Sequence, residues 1–426
     1  MNPIQRPHHT RLLRAAYAAL ASVLFFLTVT GAFFPLPSLA LEQNTGLIPP
    51  AEWTKDRSGR VAVPAGDASL PVALTGVSAR GAVLMEAETG EVIFGQNEDA
   101  RLPMASTTKL MTALVAVESL PLDTTVEITA ESVGVEGSSI YLTEGETLTL
   151  EALLYALLLE SANDAATAIA VAVAGSTEAF AEKMNARGAS LGLTDTHFVN
   201  PHGLDAEEHY TTAYELALIT REALQNPTLR RISETSRKTI PLRGEDGVRL
   251  LLNHNKLLTT YEGCIGGKTG YTKKTGRCLA SAAQRDGVTL IAVTLNAPDD
   301  WHDHTTMLDY GFALYESISL CDAGFFSAPL WLVSGRQEYV MAENTAALAV
   351  PLRRDHGSIT CVVELPRFDF APVTAGQELG RLRFFEQMHD GTERELGSVP
   401  LIASYGVEKV KYPQGVWEWI KGMLGR

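Results

Sequence analysis

Short apolar runs separated by turn residues predict strands in two parts of the chain. Residues 82–85 and 92–94 flank a turn at Gly90, which is the pattern of a β-hairpin. Residues 277–298 hold two further apolar runs, joined at Asp286 and the glycine that follows it. The sequence therefore predicts paired strands at both ends of the segment formed by residues 82–298.

The part between these strands has apolar residues at helical spacing. They recur in this way from residue 106 to residue 118, and residues 151–173 form a second, almost wholly apolar helical stretch. A helix this apolar is a core element. Strands that enclose helices in the order β-β, several α, β-β-β predict an α+β fold in which helices pack on an antiparallel sheet.

The pattern changes after about residue 317. The segments "SITCVVEL", "GRLRFFEQ" and "LGSVPLIASYGV" alternate or run apolar in short lengths, with glycine and aspartate turns between them. They predict a small all-β domain over residues 318–411, behind a first domain over residues 76–317. A chain of 426 residues is long enough for two domains with their own cores.

The last segment, residues 412–426, has its apolar side chains along one helical stripe. The stripe consists of Val416, Trp417, Ile420, Met423 and Leu424. Lys421 and Arg426 are available to face phospholipid. Such a helix is suited to the membrane interface, with tryptophan at its apolar edge, and predicts peripheral attachment to a membrane. A helix packed on its own β domain is the alternative.

Residues 1–40 have the order of an export signal. Three arginines precede an uncharged run over residues 15–34, and small residues near Ala40 provide a cleavage site. The run exceeds the usual length of about 7–15 residues, so an uncleaved membrane anchor is the alternative. Both interpretations place the remaining chain on the outer face of the cytoplasmic membrane or in the cell wall space. Residues 41–75 have no period and predict a linker.

Charge and cysteine content narrow the classes of partner. The formal net charge is −15, and the Lys/Arg clusters that phosphate binding requires are absent, so we expect no nucleic-acid partner. Four cysteines suit an exported protein with disulfides but are spaced too widely for a Cys-x-x-Cys metal or redox site. They are Cys264, Cys278, Cys321 and Cys361. A bond between the first two depends on the register of a predicted hairpin.

The first candidate site is Ser106-Thr107-Thr108-Lys109, at the start of a predicted helix. The i, i+3 spacing places the Ser106 hydroxyl and the Lys109 amine on one helical face, so the amine can take the hydroxyl proton. A lysine does this only when neutral, and apolar neighbours favour the neutral form by lowering the pKa of the amine. A helix N-terminus also offers free backbone N–H groups to a developing oxyanion.

The second candidate site is Ser161 and Asn163, which interrupt the apolar helical stretch. A polar group in such a core costs about 1–3 kcal/mol unless it is paired, so the two side chains are expected to converge on a common function. A solvated bend between helices, or a cap for the helix that continues from Asn163, accounts for the same residues without chemistry.

The third candidate site is "GCIGGKTGYTKKTGRC", residues 263–278. It is one residue too short between its glycines for the phosphate loop G-x-x-x-x-G-K-[ST]. As a strand, it places Lys268 and Gly270 on one side and Thr269 on the other. The glycines let another chain approach closely, as at a strand edge that binds an extended peptide.

The motifs S-x-x-K, S-x-N and K-T-G occur in this order in penicillin-binding proteins and serine β-lactamases. The segments "SSIYLTEGETLTLEALLYALLLESANDAA", "THFVNPHGLD" and "GGKTGYTKKTGRCLASAA" resemble the low-molecular-mass D-alanyl-D-alanine carboxypeptidases, over roughly residues 75–410. The resemblance implies a β-lactamase/transpeptidase-like fold and a peptidoglycan stem peptide ending in D-Ala-D-Ala as substrate. It also implies β-lactam antibiotics as covalent inhibitors, and no metal or other cofactor.

The resemblance implies catalytic roles for four matched positions. Ser106 would be the acylated nucleophile and Lys109 its general base. Ser161 and Asn163 would help to shuttle protons and hold the substrate amide.

The K-T-G strand would form the substrate-binding part of the same site. Lys268 would support the proton network and the charge of the site, and the Thr269 hydroxyl would bind the terminal carboxylate beside Gly270. The backbone N–H groups of Ser106 and Tyr271 would form the oxyanion hole.

One segment, "NAPDDWHDHTTM", departs from the family pattern. Some members carry an arginine downstream of the K-T-G strand that pairs with the substrate carboxylate, and this segment has none. His302 or His304 could replace it, or Lys268 could suffice. A metal site is a further hypothesis for the cluster Asp299, Asp300, His302, Asp303 and His304, although a solvated loop leading into a helix is preferred. For His202, a structural turn is preferred over a triad base.

Two alternatives to a carboxypeptidase stay open at this point. A β-lactamase of the same fold shares all three motifs but deacylates penicillin quickly, and the two-domain layout and membrane-type tail do not favour it. A catalytically silent peptidoglycan-binding protein could keep the fold. The intact pair Ser106 and Lys109 speaks against it, because a silent protein has no chemical need for either.

Overall fold

The computed structural model describes residues 54–55, 61–63, 70–242, 247–388 and 391–410. The export signal predicted for residues 1–40 and the helix predicted for residues 412–426 lie outside these ranges. Within them, none of the helices combines the length and the apolar character needed to cross a membrane.

The described helices are α1 (Lys109–Ser119), α2 (Leu150–Leu159), α3 (Asn163–Ala174), α4 (Thr177–Ser190), α5 (Ala213–Gln225), α6 (Pro227–Ser233), α7 (Leu257–Thr260) and α8 (Asp300–Leu314), with 3₁₀ turns at Ala105–Thr108 and Ala130–Ser132. The strands of the first domain are β3 (Gly81–Glu86), β4 (Val92–Gln96), β5 (Thr125–Glu127), β6 (Thr147–Thr149), β7 (Arg237–Leu242), β8 (Gly247–Leu252), β9 (Cys264–Thr272), β10 (Gly276–Arg285) and β11 (Val288–Leu295). They are preceded by β1 (Thr54–Lys55) and β2 (Val61–Val63).

The first domain is built on a five-stranded antiparallel sheet in the order β4-β3-β11-β10-β9. The predicted hairpins β3–β4 and β10–β11 are confirmed. Asp286 and Gly287 turn between β10 and β11 with positive φ of 49° and 84°. Strand β9, which carries the K-T-G motif, lies at the open edge of the sheet.

Both faces of this sheet are covered. Val83 and Met85 of β3 face the group of helices that includes α1 to α5, whereas Leu84 faces α8 on the other side. All three side chains are fully buried because β3 runs through the middle of two packed layers. The predicted α+β fold with helices on an antiparallel sheet is therefore confirmed.

The second apolar helical stretch is two helices, not one. Helix α2 ends at Leu159 and α3 begins at Asn163. Ser161, between them, has a φ of 59°, a left-handed conformation that ends a right-handed helix. The polar residues at this break thus mark a sharp turn that points the start of α3 toward α1.

The C-terminal domain is all-β. Its strands are β12 (Tyr315–Cys321), β13 (Ser327–Val333), β14 (Tyr339–Glu343), β15 (Leu348–Arg353), β16 (Ile359–Glu364), β17 (Phe368–Phe370), β18 (Glu378–Gln387) and β19 (Glu393–Ala403). The main sheet has the order β1-β2-β16-β18-β19-β14-β13-β17, and the pair β12–β15 shares its hydrophobic core. Strand β12 spans residue 317, where the sequence predicts the domain boundary.

Two strands of this sheet come from the range predicted to be a linker. Within residues 41–75, β2 pairs with β16, so that Val63 lies opposite Ile359 and Val61 opposite Cys361. Strands of two or three residues leave no periodic signal in the sequence, since a partner almost 300 residues away provides their hydrogen bonds.

The strand register excludes the disulfide considered between Cys264 and Cys278. Cys278 lies opposite Gly270, whereas Cys264 lies opposite Ala283. Five residues of extended strand separate the two positions, about 17 Å and far beyond disulfide reach. All four cysteines, each in the described part of the chain, are free.

Candidate active site

Ser106 and Lys109 lie at the junction of a 3₁₀ turn and helix α1. Ser106 is half-buried, whereas Lys109 is fully buried at the first residue of the helix. Lys109 Nζ is 2.9 Å from Ser106 Oγ. The structure thus confirms the predicted contact between the amine and the hydroxyl.

The Lys109 amine has two further contacts, both with carbonyl oxygens. Its Nζ donates to Asn163 Oδ1 at 2.7 Å and to the His202 carbonyl oxygen at 2.5 Å. Burial lowers the pKa of Lys109 well below its ordinary value of 10.5, and the nearby Lys268 charge lowers it further, against an opposing effect of Asp164. A neutral amine has two hydrogens, which the two carbonyl oxygens accept. Its lone pair then faces the Ser106 hydroxyl.

Asn163 is held by the loop that precedes strand β6. Its Nδ2 donates to the Glu136 carbonyl oxygen at 2.5 Å, and its backbone N–H donates to the Ser138 carbonyl oxygen at 2.7 Å. Gly137, at a φ of 93°, allows this approach, because a Cβ there would lie 2.7 Å from Asn163 Nδ2. The Asn163 side chain therefore has one orientation, with its oxygen toward Lys109.

Unlike the side chains of Lys109 and Asn163, the Ser161 hydroxyl forms no hydrogen bond within the described residues. The residue is 4% exposed, and its Oγ has no hydrogen-bond partner among the described residues. A buried hydroxyl without a partner costs about 1–3 kcal/mol. Together with the left-handed backbone, this marks a position kept in a costly arrangement, as functional sites are.

The segment "NPHGLD" packs its backbone against helix α1. Thr112 Oγ1 donates to the Pro201 carbonyl oxygen at 2.6 Å, and the next carbonyl is the one bound to Lys109. The imidazole of His202 points back into its own turn, where its Nδ1 accepts from Leu204 N–H at 3.3 Å. His202 is thus a turn residue, as predicted, but its carbonyl oxygen belongs to the site, which the sequence did not indicate.

His209 is a second residue that sequence reasoning missed. It is 3% exposed, and its Nδ1 accepts from Val199 N–H at 3.1 Å. Its Nε2 therefore carries the hydrogen and donates to Thr108 Oγ1 at 2.8 Å, which donates to the Ala105 carbonyl oxygen at 2.8 Å. Burial lowers the pKa of His209 to about 4, so the ring stays neutral. The chain of hydrogen bonds holds Ala105, which has a φ of 48° just before Ser106.

Strand β9 forms the opposite side of the site. Lys268 is buried, which lowers its pKa to about 7, and its Nζ donates to the Thr269 carbonyl oxygen at 2.8 Å. A Cβ at Gly270 would lie 3.0 Å from Ser106 N, so the strand and the backbone of Ser106 are in close contact. Thr269 is half-buried on the other side of the strand, and Tyr271 is exposed.

Arg277 lies beside the K-T-G motif, and no motif or spacing in the sequence points to it. It is opposite Tyr271 in the hairpin, on the same face as Thr269 one position along. Asp300 orients the guanidinium, with Nη2 at 2.7 Å and Nε at 2.9 Å from Oδ1. An arginine in β10 and a carboxylate in α8 are brought together only by the fold.

The acidic and histidine cluster of residues 299–304 separates in the structure. Asp300 binds Arg277, whereas Asp303 accepts from Ser78 Oγ at 2.6 Å. His304 is fully buried between Ser281 Oγ at 2.6 Å and Thr294 Oγ1 at 3.0 Å, so its proposed role at the substrate carboxylate is wrong. His302 lies exposed on α8. Asp300, Asp303 and His304 thus have separate structural partners in place of a common ligand.

The three sequence motifs therefore meet in one place. Hydrogen bonds join Ser106, Lys109 and Asn163, and the glycine of K-T-G lies against the backbone of Ser106. A hydroxyl beside a buried lysine of lowered pKa, at the edge of an antiparallel sheet, is the arrangement expected of a serine hydrolase whose base is a lysine.

Comparisons with known proteins agree with this class. The family model for D-alanyl-D-alanine carboxypeptidase matches residues 68–299. D-alanyl-D-alanine carboxypeptidase DacF of Bacillus subtilis is 32% identical over 314 residues, which cover 71% of this chain and 80% of the relative. The chain belongs to the D-alanyl-D-alanine carboxypeptidase family, and it is a serine peptidase.

Solved structures support the fold over both domains. The crystal structure of DacD from Francisella tularensis has a TM-score of 0.57 and 25% identity, and covers 81% of this chain and 97% of its own. Penicillin-binding protein 5 from Haemophilus influenzae has a TM-score of 0.57 at 24% identity, over 80% of this chain and all of its own, and supports the fold.

Proposed function

We propose that this enzyme removes the terminal D-alanine from peptidoglycan stem peptides through an acyl-enzyme on Ser106. The arrangement at Lys109 carries the proposal. Two carbonyl oxygens accept its hydrogens, and burial favours the neutral amine. The lone pair is therefore aimed at the Ser106 hydroxyl, 2.9 Å away, as a general base requires.

The reaction then consists of acylation of Ser106 and hydrolysis of the resulting ester. Lys109 takes the Ser106 proton as Oγ forms a bond to the carbonyl carbon of the penultimate D-alanine. The oxyanion is stabilised by the backbone N–H groups of Ser106 and Tyr271, each such donor being worth about 2.7–4 kcal/mol. The peptide C–N bond breaks, and the leaving D-alanine nitrogen receives a proton. Water then attacks the ester, releasing the shortened peptide and restoring the serine.

Ser161 and Asn163 serve the proton and the substrate amide. The Ser161 hydroxyl, buried and without a partner in the described structure, is available to pass the proton from Lys109 to the leaving nitrogen. Asn163 Nδ2 and Oδ1 are already bonded to Glu136 and Lys109. Its main contribution is therefore to hold the base, with the substrate amide packed alongside. Lys268 supports the same proton network.

The terminal carboxylate of the substrate binds at Thr269 and Arg277, beside Gly270. Asp300 fixes the guanidinium of Arg277 through its Nε and Nη2 atoms. An arginine presents planar donors that match a carboxylate. Arg277 thus takes the role of the downstream arginine that the sequence lacks.

Replacing Arg277 by glutamine is expected to raise KM for a D-Ala-D-Ala peptide about tenfold or more, with a smaller change in kcat, since a charge-assisted contact to the ground-state carboxylate is lost. With a peptide whose terminal carboxylate is amidated, the parent and the Arg277→Gln variant should have the same KM. Arg381→Gln, at an exposed ion pair on β18, is the matched control. Equal losses with the carboxylate and the amide would show that Arg277 only supports the fold.

The enzyme is proposed to work outside the cytoplasm. The family acts on the cell wall, and residues 1–40 have the pattern of an export signal. Peripheral attachment through residues 412–426 rests on the apolar stripe of that segment. β-Lactam antibiotics are proposed as covalent inhibitors at the same serine.

The test combines two assays on the chain from Leu41 onward. Labelled penicillin should attach to the peptide that contains Ser106 and persist for minutes, and D-alanine should be released from a diacylated Lys-D-Ala-D-Ala peptide. Attachment elsewhere would exclude the proposed nucleophile. Rapid penicillin turnover without D-alanine release would indicate a β-lactamase. If neither penicillin attachment nor D-alanine release is observed, the protein is a catalytically silent peptidoglycan-binding protein.

A further inference from the structure

Five apolar side chains are exposed together on one face of the C-terminal sheet. They are Trp331 (39% exposed) and Val333 (41%) on β13, Tyr339 (42%) on β14, and Phe368 (55%) and Phe370 (62%) on β17. We call this group the aromatic face. It lies at the end of the sheet, where β17 is the last strand.

The strand register shows that the five side chains share one surface. Trp331 is opposite Tyr339 on one side and opposite Phe368 on the other, and Val333 is opposite Phe370. Directly paired residues point to the same face of a sheet. The rings also touch, with Trp331 and Tyr339 at 5.8 Å between centroids.

The aromatic face is not an extension of the domain core. Leu330, Leu332 and Val340 alternate with its residues and point the other way, into the core. A contiguous apolar surface of this kind marks an interaction site. The question is therefore what covers it.

The course of the chain provides an answer. Val410 N–H donates to the Ser334 carbonyl oxygen at 2.8 Å, and Ser334 directly follows Val333. The described part of the chain thus ends, at Val410, beside the border of the aromatic face. The sequence that follows, residues 411–426, contains the apolar stripe with Trp417 and Ile420, and three basic residues against one acidic residue.

We propose that the aromatic face binds the surface of a lipid bilayer, next to the segment formed by residues 412–426. This inference rests on the proposed membrane attachment of that segment. Tryptophan and tyrosine are enriched where a protein meets the membrane interface. Two adjacent apolar surfaces that reach one bilayer bind it far more tightly than either alone, since the first contact raises the effective concentration of the second.

Exposed basic side chains near the aromatic face fit the same partner. Arg367 precedes Phe368, and Lys409 pairs with Gly335, next to Arg336, near the end of the described chain. Arg336 forms an exposed ion pair with Glu408, with 3.2 Å between the charged atoms. These residues allow contact with anionic headgroups despite the acidic net charge of the whole chain.

The experiment measures partitioning of the chain from Leu41 onward onto sedimented vesicles of phosphatidylglycerol and phosphatidylethanolamine. The face variant is Phe368→Ser with Phe370→Ser. The matched control is Val248→Ser with Leu250→Ser, two apolar residues of the first domain that are 68% and 59% exposed. The tail variant is Trp417→Ser with Ile420→Ser. D-alanine release from a soluble peptide should be equal in all of them.

The face variant should partition about tenfold more weakly than the parent, the tail variant more weakly still, and the control variant like the parent. Loss of partitioning in the tail variant alone would overturn the role of the aromatic face and leave the proposed attachment intact. No partitioning of the parent would overturn both. Tighter partitioning of the face variant would show that residues 412–426 fold onto the aromatic face in solution, which also overturns the proposal.

Discussion

Replacement of Lys109 by methionine is expected to lower the rate of acylation by penicillin by about 10³–10⁴-fold, because the hydroxyl of Ser106 then has no base. D-alanine release should fall in parallel, since both reactions begin with the same proton transfer. Methionine is unbranched like lysine and only one heavy atom shorter, so most of the buried space remains filled. Stopped-flow measurement of the acylation rate constant checks the prediction.

A second variant of Lys109 and a control variant distinguish the role of this lysine as a base from a role of its positive charge. Lys109→Arg keeps a cation at the site but cannot give up its proton, so it should be as inactive as the methionine variant. Lys183→Met, on the exposed side of α4, should act like the parent. Substantial acylation by Lys109→Arg would mean that the lysine acts through its charge, contrary to the mechanism.

The parent enzyme should show the same base in its pH dependence. A base works in its deprotonated form, so acylation should be retained above the pKa of Lys109 and lost as the pH falls through it. Burial and the Lys268 charge hold that pKa well below 10.5. The acylation rate should therefore reach its plateau at a pH where an ordinary lysine is still charged.

Replacement of Gly203 by alanine is expected to lower acylation by about 10²-fold or more. A Cβ at this position would lie 2.0 Å from the Ala105 carbonyl oxygen and 2.9 Å from Thr108 Oγ1. The clash must move the backbone that immediately precedes Ser106. A shift of about 1 Å in a nucleophile costs roughly this factor.

The control for this variant is Gly175→Ala. Gly175 has a φ of 83°, close to the 86° of Gly203, but no atom lies within 4 Å of the Cβ it would gain. Both variants have the cost of a left-handed alanine, about 1–2 kcal/mol of stability. Only Gly203→Ala should lose acylation when both are assayed well below their unfolding temperatures. Equal activities would show that the turn adapts without moving the serine.

Much of the catalytic centre could be predicted from the sequence because its parts are local. The i, i+3 spacing of Ser106 and Lys109 already brings the two side chains together, since the 3₁₀ turn with Ser106 runs directly into the helix that Lys109 begins. Polar residues in an apolar stretch marked Ser161 and Asn163. The alternation of a strand separated Lys268 and Gly270 from Thr269, and the register of the hairpin agrees.

The missed residues act through tertiary contacts. The carbonyl of His202 carries no side-chain signal, and His209 supports Ser106 only through Thr108 and Ala105. Arg277 and Asp300 are distant in sequence and meet because α8 packs against the sheet. His304 looked like a ligand by type, yet the same packing buries it between two hydroxyls.

The pairing of β2 with β16 has a mechanical consequence. The chain leaves the C-terminal sheet after β2, forms the whole first domain, and returns at β12, so that domain is an insertion with two covalent connections. A domain joined to its neighbour by one flexible linker can rotate about any axis. A domain joined by two linkers can rotate only about the line between the two connections. Because both of its ends are connected to the C-terminal sheet, the first domain is more restricted in its rotation relative to that sheet than a domain joined by a single linker would be.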